Sequence, residues 1–285
     1  MLKSIVRRTE ARLVGSGGLS LHRRAWLPPQ PRRVIAVAHG YAEHAGRYDA
    51  LGAWFAARGF AVHALDHRGH GRSEGPRGHV ARFDDFLDDL ERFLALVRGE
   101  HPDVPVTLLG HSMGGLIVAS LLARGASTID DAVLSAAALA FPPDMSRVRL
   151  GLARIARRIA PRLRAPSGLD PSGLSRDVRV VRAYLEDPLV FRHISASLAC
   201  ELQQAIGRLA TEPKPIELPI LVLHGGDDPI VPAEASRRYF GHARGPGSEL
   251  RIYPKLRHEI FNEPEQEDVF RDVLQWLETR EAAAG

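Results

Sequence analysis

Residues 106–120 read VTLLGHSMGGLIVAS. The apolar run Val106–Leu109 ends at Gly110, and a stretch with helical spacing, Met113–Ala123, starts three residues later. A buried strand that runs straight into a helix, with Ser112 at the corner, predicts a tight turn in which the serine backbone is strained. Gly110 and Gly114, two residues to either side, let strand and helix approach without Cβ collisions. A G-x-S-x-G string also arises by chance in a chain with 26 glycines. The strand before it and the helix after it set this one apart.

Outward from that corner, short apolar runs alternate with longer amphipathic segments. Val34–Ala38, Ala61–Leu65, Ala132–Ser135, Ile220–Leu223 and Glu249–Tyr253 read as strands; Asp49–Ala57, Phe83–Val97, Ala233–Tyr239 and Gln266–Glu278 read as helices. Such alternation predicts an α/β protein with a mostly parallel sheet covered on both faces. Ala11–Val14 and Ser20–Trp26 read as an antiparallel hairpin on one edge. From Phe141 to about Ala210 no strand is expected and helical patterns dominate, bracketed by Pro142 and Pro143 and by Pro213, Pro215 and Pro219. The chain thus divides into a core, 1–140 with 211–285, and a helical insertion, 141–210. An insertion at a strand's carboxyl end sits where open α/β sheets place ligands, which makes it a candidate lid.

With 285 residues, folding removes roughly three quarters of the unfolded chain's surface from water, so the core needs no metal or disulfide staple. The single cysteine, Cys200, permits no intramolecular disulfide and fits a reducing compartment. Met1 to Gly18 lacks an apolar signal core, and no apolar run approaches the ~18–20 residues of a membrane span, so a cytoplasmic protein is expected. The net charge of +4 sets 38 basic against 34 acidic residues. They are mixed along the chain, which argues against a nucleic-acid partner.

A serine hydroxyl is a poor nucleophile until a base takes its proton, so the corner serine demands a histidine and a carboxylate further on. His258 follows the last strand by a short loop, and His224-Gly-Gly-Asp227-Asp228 follows the strand Ile220–Leu223. Spacing alone does not separate the two adjacent aspartates. The N–H of the residue after the nucleophile, Met113, is one expected oxyanion donor, at a helix N-terminus whose dipole favours negative charge.

The chain resembles the α/β-hydrolase superfamily, and within it the monoacylglycerol lipase and lysophospholipase group. The resemblance spans nearly the whole length and rests on His39-Gly40-Tyr41-Ala-Glu43-His44-Ala-Gly-Arg47-Tyr48, on Asp66-His-Arg-Gly-His-Gly-Arg-Ser73, on Gly110–Gly114 and on the two late segments. Leu174-Ser-Arg-Asp177 and Tyr184-Leu-Glu-Asp-Pro-Leu189 also look like that group's cap. The resemblance implies Asp228 as the acid of a Ser112–Asp228–His258 triad and the N–H of Tyr41 as the second oxyanion donor. Glu43 and Arg47 then form a polar end that receives the glycerol head, or else a local ion pair that braces the loop. His39 and His111 are expected as structural members of their turns. The implied reaction is hydrolysis of an acyl ester, monoacylglycerol to glycerol and fatty acid, with a small lipid ester as partner and no metal or organic cofactor. Lysophospholipase, carboxylesterase and aminopeptidase-like acyl hydrolase remain alternatives, as does a non-catalytic ligand-binding protein on the same fold.

Three further signals need weighing. His63, His67 and His70 mimic metal-ligand spacing, but one belongs to a strand and two to the next loop, and the D-x-R-G-x-G-x-S loop accounts for them without metal. His258-Glu259 begins like a zinc-protease motif, yet Asn262 stands at the second histidine position. Met145–Arg164 carries seven arginines and no acidic residue, with Val148, Leu152, Ile155, Ile159 and Leu163 at helical steps. That stretch reads either as a cap helix packing its apolar face over the site, or as a basic amphipathic helix in peripheral contact with an anionic membrane.

Overall fold

In the computed structural model, residues 6–125, 128–140, 147–212 and 214–284 are described, with backbone alone at 147–150 and 282–284. The expected positions Phe141, Pro142, Pro143, Met145 and Pro213 lie outside the described residues, as do the side chains of Arg147, Val148 and Arg149. The strands, in chain order, are β1 (Arg7–Val14), β2 (Ser20–Leu27), β3 (Arg33–Ala38), β4 (Phe60–Leu65), β5 (Val106–His111), β6 (Asp131–Ser135), β7 (Arg164–Pro166), β8 (His193–Ser195), β9 (Ile220–Gly225) and β10 (Glu249–Tyr253). The helices are α1 (Asp49–Ala56), α2 (Asp84–Glu100), α3 (Met113–Arg124), α4 (Arg147–Ile159), α5 (Val178–Glu186), α6 (Ala196–Thr211), α7 (Ala233–Ala243) and α8 (Gln266–Ala284).

Eight strands form one sheet in the order β1-β2-β4-β3-β5-β6-β9-β10. The β1–β2 hairpin is antiparallel, and β2 pairs antiparallel with β4; every pairing from β4 to β10 is parallel. All residues of β3, β4, β5, β6 and β9 are buried, as unbroken apolar runs in a parallel sheet require. The two-residue strand period splits β3 between two cores: Val34, Ala36 and Ala38 face the side packed by α2, α3 and α6, while Ile35 and Val37 face α1 and α8.

The chain runs from β3 to β4 on one side and then back past β3 to β5 on the other. The crevice beyond the carboxyl ends of β3 and β5 is therefore the switch point where open α/β sheets hold ligands. This topology sets the loop beginning at His39 beside the corner at Ser112.

Between β6 and β9 the chain leaves the sheet. Helices dominate as expected, but the expectation of no strand there is incorrect. β7 and β8 pair antiparallel as a three-residue ladder, Arg164 opposite Ser195 and Pro166 opposite His193. Strands that short show no periodicity, and Pro166 masks one of them. Ser195 caps the α6 helix, its hydroxyl accepting from the Leu198 N–H (3.1 Å), and α6 returns Leu198 and Ala205 to the main core.

Candidate active site

Ser112 has φ 51° and ψ −116°, a left-handed backbone in a non-glycine residue, at the junction of β5 and α3. Such strain persists only where the surroundings over-determine it. Here they do. The Ser112 N–H donates to Ser135 O (3.0 Å), and Ser112 O accepts from Leu116 N (3.0 Å) and Ala138 N (2.9 Å). A Cβ on Gly110 would lie 2.6 Å from Gly114 O, and one on Gly114 would lie 2.0 Å from Ala38 O. The end of α3 thus rests directly on the end of β3.

The corner presents Ser112 Oγ 2.9 Å from Nε2 of His258. On the far side of that ring, Nδ1 lies 2.7 Å from Asp228 Oδ2. The ring is buried, which disfavours its charged form, but the Asp228 carboxylate and its hydrogen bond outweigh burial and raise the imidazole above its ordinary value. The Asp228 side chain is buried; the His258 and His224 contacts and a backbone N–H hold its carboxyl well below the usual carboxylate range against that burial. Its Oδ1 accepts from Ile230 N (2.8 Å) and Val231 N (3.0 Å). Of the two adjacent aspartates, Asp228 faces His258 and Asp227 is exposed.

His224 is a residue whose part the sequence did not reveal. Its Nε2 lies 2.9 Å from Val231 O and 3.1 Å from Asp228 Oδ2, and its Nδ1 lies 2.7 Å from Ser236 Oγ. It fixes the carboxylate from behind. Its position at the end of β9, four residues before Asp228, was the available signal.

Tyr41 lies in the turn just beyond β3 and Met113 opens α3 just beyond β5, on the two sides of the switch point. Among the described residues, neither backbone N–H donates to a protein acceptor. His39 braces the first turn: its Nε2 accepts from His67 N (3.0 Å), which leaves Nδ1–H to donate to Gly40 O (2.7 Å). His111 Nδ1 lies 3.2 Å from Ser135 O, and burial holds its ring, like that of His39, well below the ordinary histidine value.

Glu43 and Arg47 meet beside Ser112 in a buried polar cluster. Glu43 Oε1 accepts from Gly40 N (2.5 Å) and Tyr48 Oη (3.0 Å), so it shapes the His39–Tyr41 turn. Burial, offset by Arg47 and reinforced by Glu259, pushes its carboxyl up to about 7. The Arg47 guanidinium lies 3.8 Å from Glu43, donates to Glu259 Oε2 (2.6 Å), and stacks 4.8 Å from the Tyr184 ring centroid. Glu259 and Tyr184 were absent from the sequence-based site because an ion pair 212 positions apart leaves no local pattern.

The His258 loop is tied to the segment between β6 and β9. His258 N donates to Gly173 O (3.4 Å) and Glu259 N to Leu174 O (2.8 Å). Buried Glu263 accepts from Arg257 N (2.7 Å) on one side and Arg176 N (3.0 Å) on the other.

His63, His67 and His70 do not converge on one point. His67 and His70 stack with His39, ring centroids 4.5 and 5.4 Å away, and burial pushes both down to about 3, which keeps them neutral. Among the described residues, the group with metal-like spacing is instead His63, Glu100 and His101. There Arg23 holds both Glu100 oxygens and points one N–H at His63 Nδ1 (3.4 Å), while the two rings bond each other through Nε2 (3.0 Å). That closed set of partners is a hydrogen-bonded brace.

Sheet order, switch point and strained serine corner together define an α/β hydrolase. The chain belongs to the family described as serine aminopeptidase, S33, which matches residues 29–265. A monoacylglycerol lipase of Mycolicibacterium smegmatis is 38% identical over 95% of this chain and 97% of its own length. A monoglyceride lipase of Mus musculus is 34% identical over 96% of this chain and 91% of its own length. The crystal structure of Paleococcus ferrophilus monoacylglycerol lipase superposes with a TM-score of 0.79 at 32% identity, covering 96% of this chain and 98% of that one.

Proposed function

We propose that the chain hydrolyses carboxylic esters and that its substrate is monoacylglycerol, cleaved to glycerol and a free fatty acid. The observation that carries the reading is the unbroken relay from Ser112 Oγ through His258 to Asp228, with links of 2.9 and 2.7 Å. In this mechanism His258 Nε2 takes the serine proton as Oγ attacks the ester carbonyl, and Asp228 holds the tautomer and stabilises the imidazolium. The N–H groups of Tyr41 and Met113 receive the oxyanion. The alcohol leaves with the proton from His258, and water, activated by the same base, then releases the acid from Ser112. Every proton is moved by a group of the chain.

Residues 141–210 serve as the cap in this reading, over a core of 1–140 and 211–285, and Glu43 and Arg47 form the polar end for the glycerol head. The support is the set of backbone bonds that join Gly173 and Leu174 to the His258 loop. Relatives named as lipases favour an ester over the peptide bond that the family's description suggests.

A second part of the reading concerns the lipid surface. Leu152, Ile155, Ile159 and Leu163 are 61, 60, 81 and 59% exposed, beside the exposed Arg154, Arg158 and Arg162. These side chains do not pack inward as a plain cap helix would have them. No helix among the described residues is long and apolar enough to cross a membrane. An apolar ridge among arginines fits peripheral contact with an anionic bilayer.

The test is product release from monoacylglycerols of graded length, a lysophosphatidylcholine, a short-chain ester and an aminoacyl anilide, each with wild type and Ser112→Ala. Serine-dependent turnover highest on monoacylglycerols is expected. Preference for the anilide would return the enzyme to peptide chemistry.

A further inference from the structure

Arg47 is the cation of the polar cluster beside the nucleophile, and its charge is already committed. Its guanidinium is held by Glu259 at 2.6 Å, flanked by Glu43 at 3.8 Å, and capped by the Tyr184 ring. Glu259 is itself fixed. Its side chain is 4% exposed, it accepts from Asn262 Nδ2 (2.9 Å), and its backbone is bonded to Leu174. Two carboxyl groups thus flank one guanidinium, Glu259 within hydrogen-bond distance and Glu43 further off. The cluster abuts the reacting centre, because the point where a Gly40 Cβ would stand is 2.8 Å from Glu43 Oε1 and 3.2 Å from Ser112 Cβ.

An anion brought to this end meets an arginine whose charge is already matched by Glu259, and must approach that carboxylate in a buried setting where repulsion is poorly screened. An uncharged polyol asks only for hydrogen bonds. One donor remains for it: Arg47 Nη1 is buried and has no protein partner among the described residues.

We propose that Glu259 is a charge filter: by holding Arg47 it closes the alcohol side of the site to anionic head groups and selects esters of uncharged alcohols. This rests on the functional reading above and sharpens it, since it separates monoacylglycerol from phosphate-bearing lysolipids of the same acyl chain. Glu259 takes no part in the proton relay; it sets specificity through Arg47, and rejection comes from a repulsive element built against the wrong substrate.

The experiment measures kcat/KM for a 1-acylglycerol and the matching 1-acylglycerol-3-phosphate in wild type, Glu259→Gln and Glu259→Gln/Arg47→Met. The wild type is expected to favour the neutral ester. Glu259→Gln should raise the anionic-to-neutral ratio by about 10-fold or more, chiefly through a lower KM for the phosphate ester. The double variant should lose most of that gain. An unmoved ratio in Glu259→Gln overturns the proposal, and so does a double variant that keeps the whole gain. Ser112 labelling of wild type by two fluorophosphonates of equal chain length, one with a polyol head and one with a phosphate head, needs no variant. Faster labelling by the polyol reagent is expected, and equal rates overturn the filter. A wild type that hydrolyses neither ester fails the functional reading alone, because the two labelling rates still judge the filter.

Discussion

The corner at Ser112 and the helix α4 were both conspicuous in the sequence, yet they fold under opposite regimes. At the corner, two glycines, a strained serine and three backbone hydrogen bonds leave the chain one conformation. Along α4, the large apolar side chains Leu152, Ile155 and Ile159 stand 61, 60 and 81% exposed, and among the described residues they belong to neither core. The contrast is physical. Backbone sterics can hold a corner to a fraction of an ångström, as the proposed nucleophile requires, whereas the proposed lipid contact of α4 asks only for the right average polarity. On that reading rigidity concentrates where bonds would be made and broken, and tolerance where lipid would be met.

The sharpest way to break this contrast is at the corner. Ser112→Ala should cost about 10⁶-fold in turnover while leaving thermal unfolding nearly unchanged, read by ester hydrolysis and by a melting curve. Asp228→Asn should cost about 10⁴-fold, since the imidazole loses the carboxylate that fixes its tautomer; the exposed Asp227→Asn should stay within about 2-fold. The reverse order would reassign the acid.

Gly114→Ala tests the backbone itself. Its Cβ would stand 2.0 Å from Ala38 O, so α3 must move off β3. A loss of about 3 kcal/mol or more in urea unfolding is expected, together with loss of activity.

The pH dependence of kcat/KM tests the electrostatics. His258 must be neutral to accept the serine proton, and its pKa is raised above the ordinary histidine value by Asp228 despite burial. Activity should therefore fall as pH drops, with its midpoint above about 6.5. A limb below that value would place the base in a different electrostatic setting.

The smallest effects belong to α4. Ile155→Ser with Ile159→Ser should shift stability by no more than about 0.5 kcal/mol, because both side chains already face solvent. Turnover of a dissolved short-chain ester should be unchanged. Binding to vesicles rich in anionic lipid should fall, and wild-type binding should weaken with salt. Salt-indifferent binding, or none, would remove the membrane contact from the reading.

Much of the site could be read in advance because its demands are local. A glycine two residues from a serine, a strand run and a helix period are properties of neighbouring residues; the order Ser, Asp, His along the chain is readable as well, but the contacts that join them span up to 146 positions. The β1–β2 hairpin was legible for the same reason, although it extends further, to Arg7 and Leu27. The β7–β8 ladder was not legible, since three residues per strand carry no period and their pairing joins segments far apart in sequence.

What the sequence determined by itself was the alternation of strands and helices, the serine corner and the short list of its partners. The tertiary structure decided the rest. It set Asp228 and not Asp227 against His258, because the turn after β9 binds the Asp227 N–H to Leu256 O and directs the neighbouring carboxylate inward. It matched Arg47 with Glu259 across 212 positions, and it left Leu152, Ile155 and Ile159 of α4 more than half exposed. Local backbone sterics are written in adjacent residues, whereas the pairing of charges and the burial of a helix face exist only once distant segments share a surface.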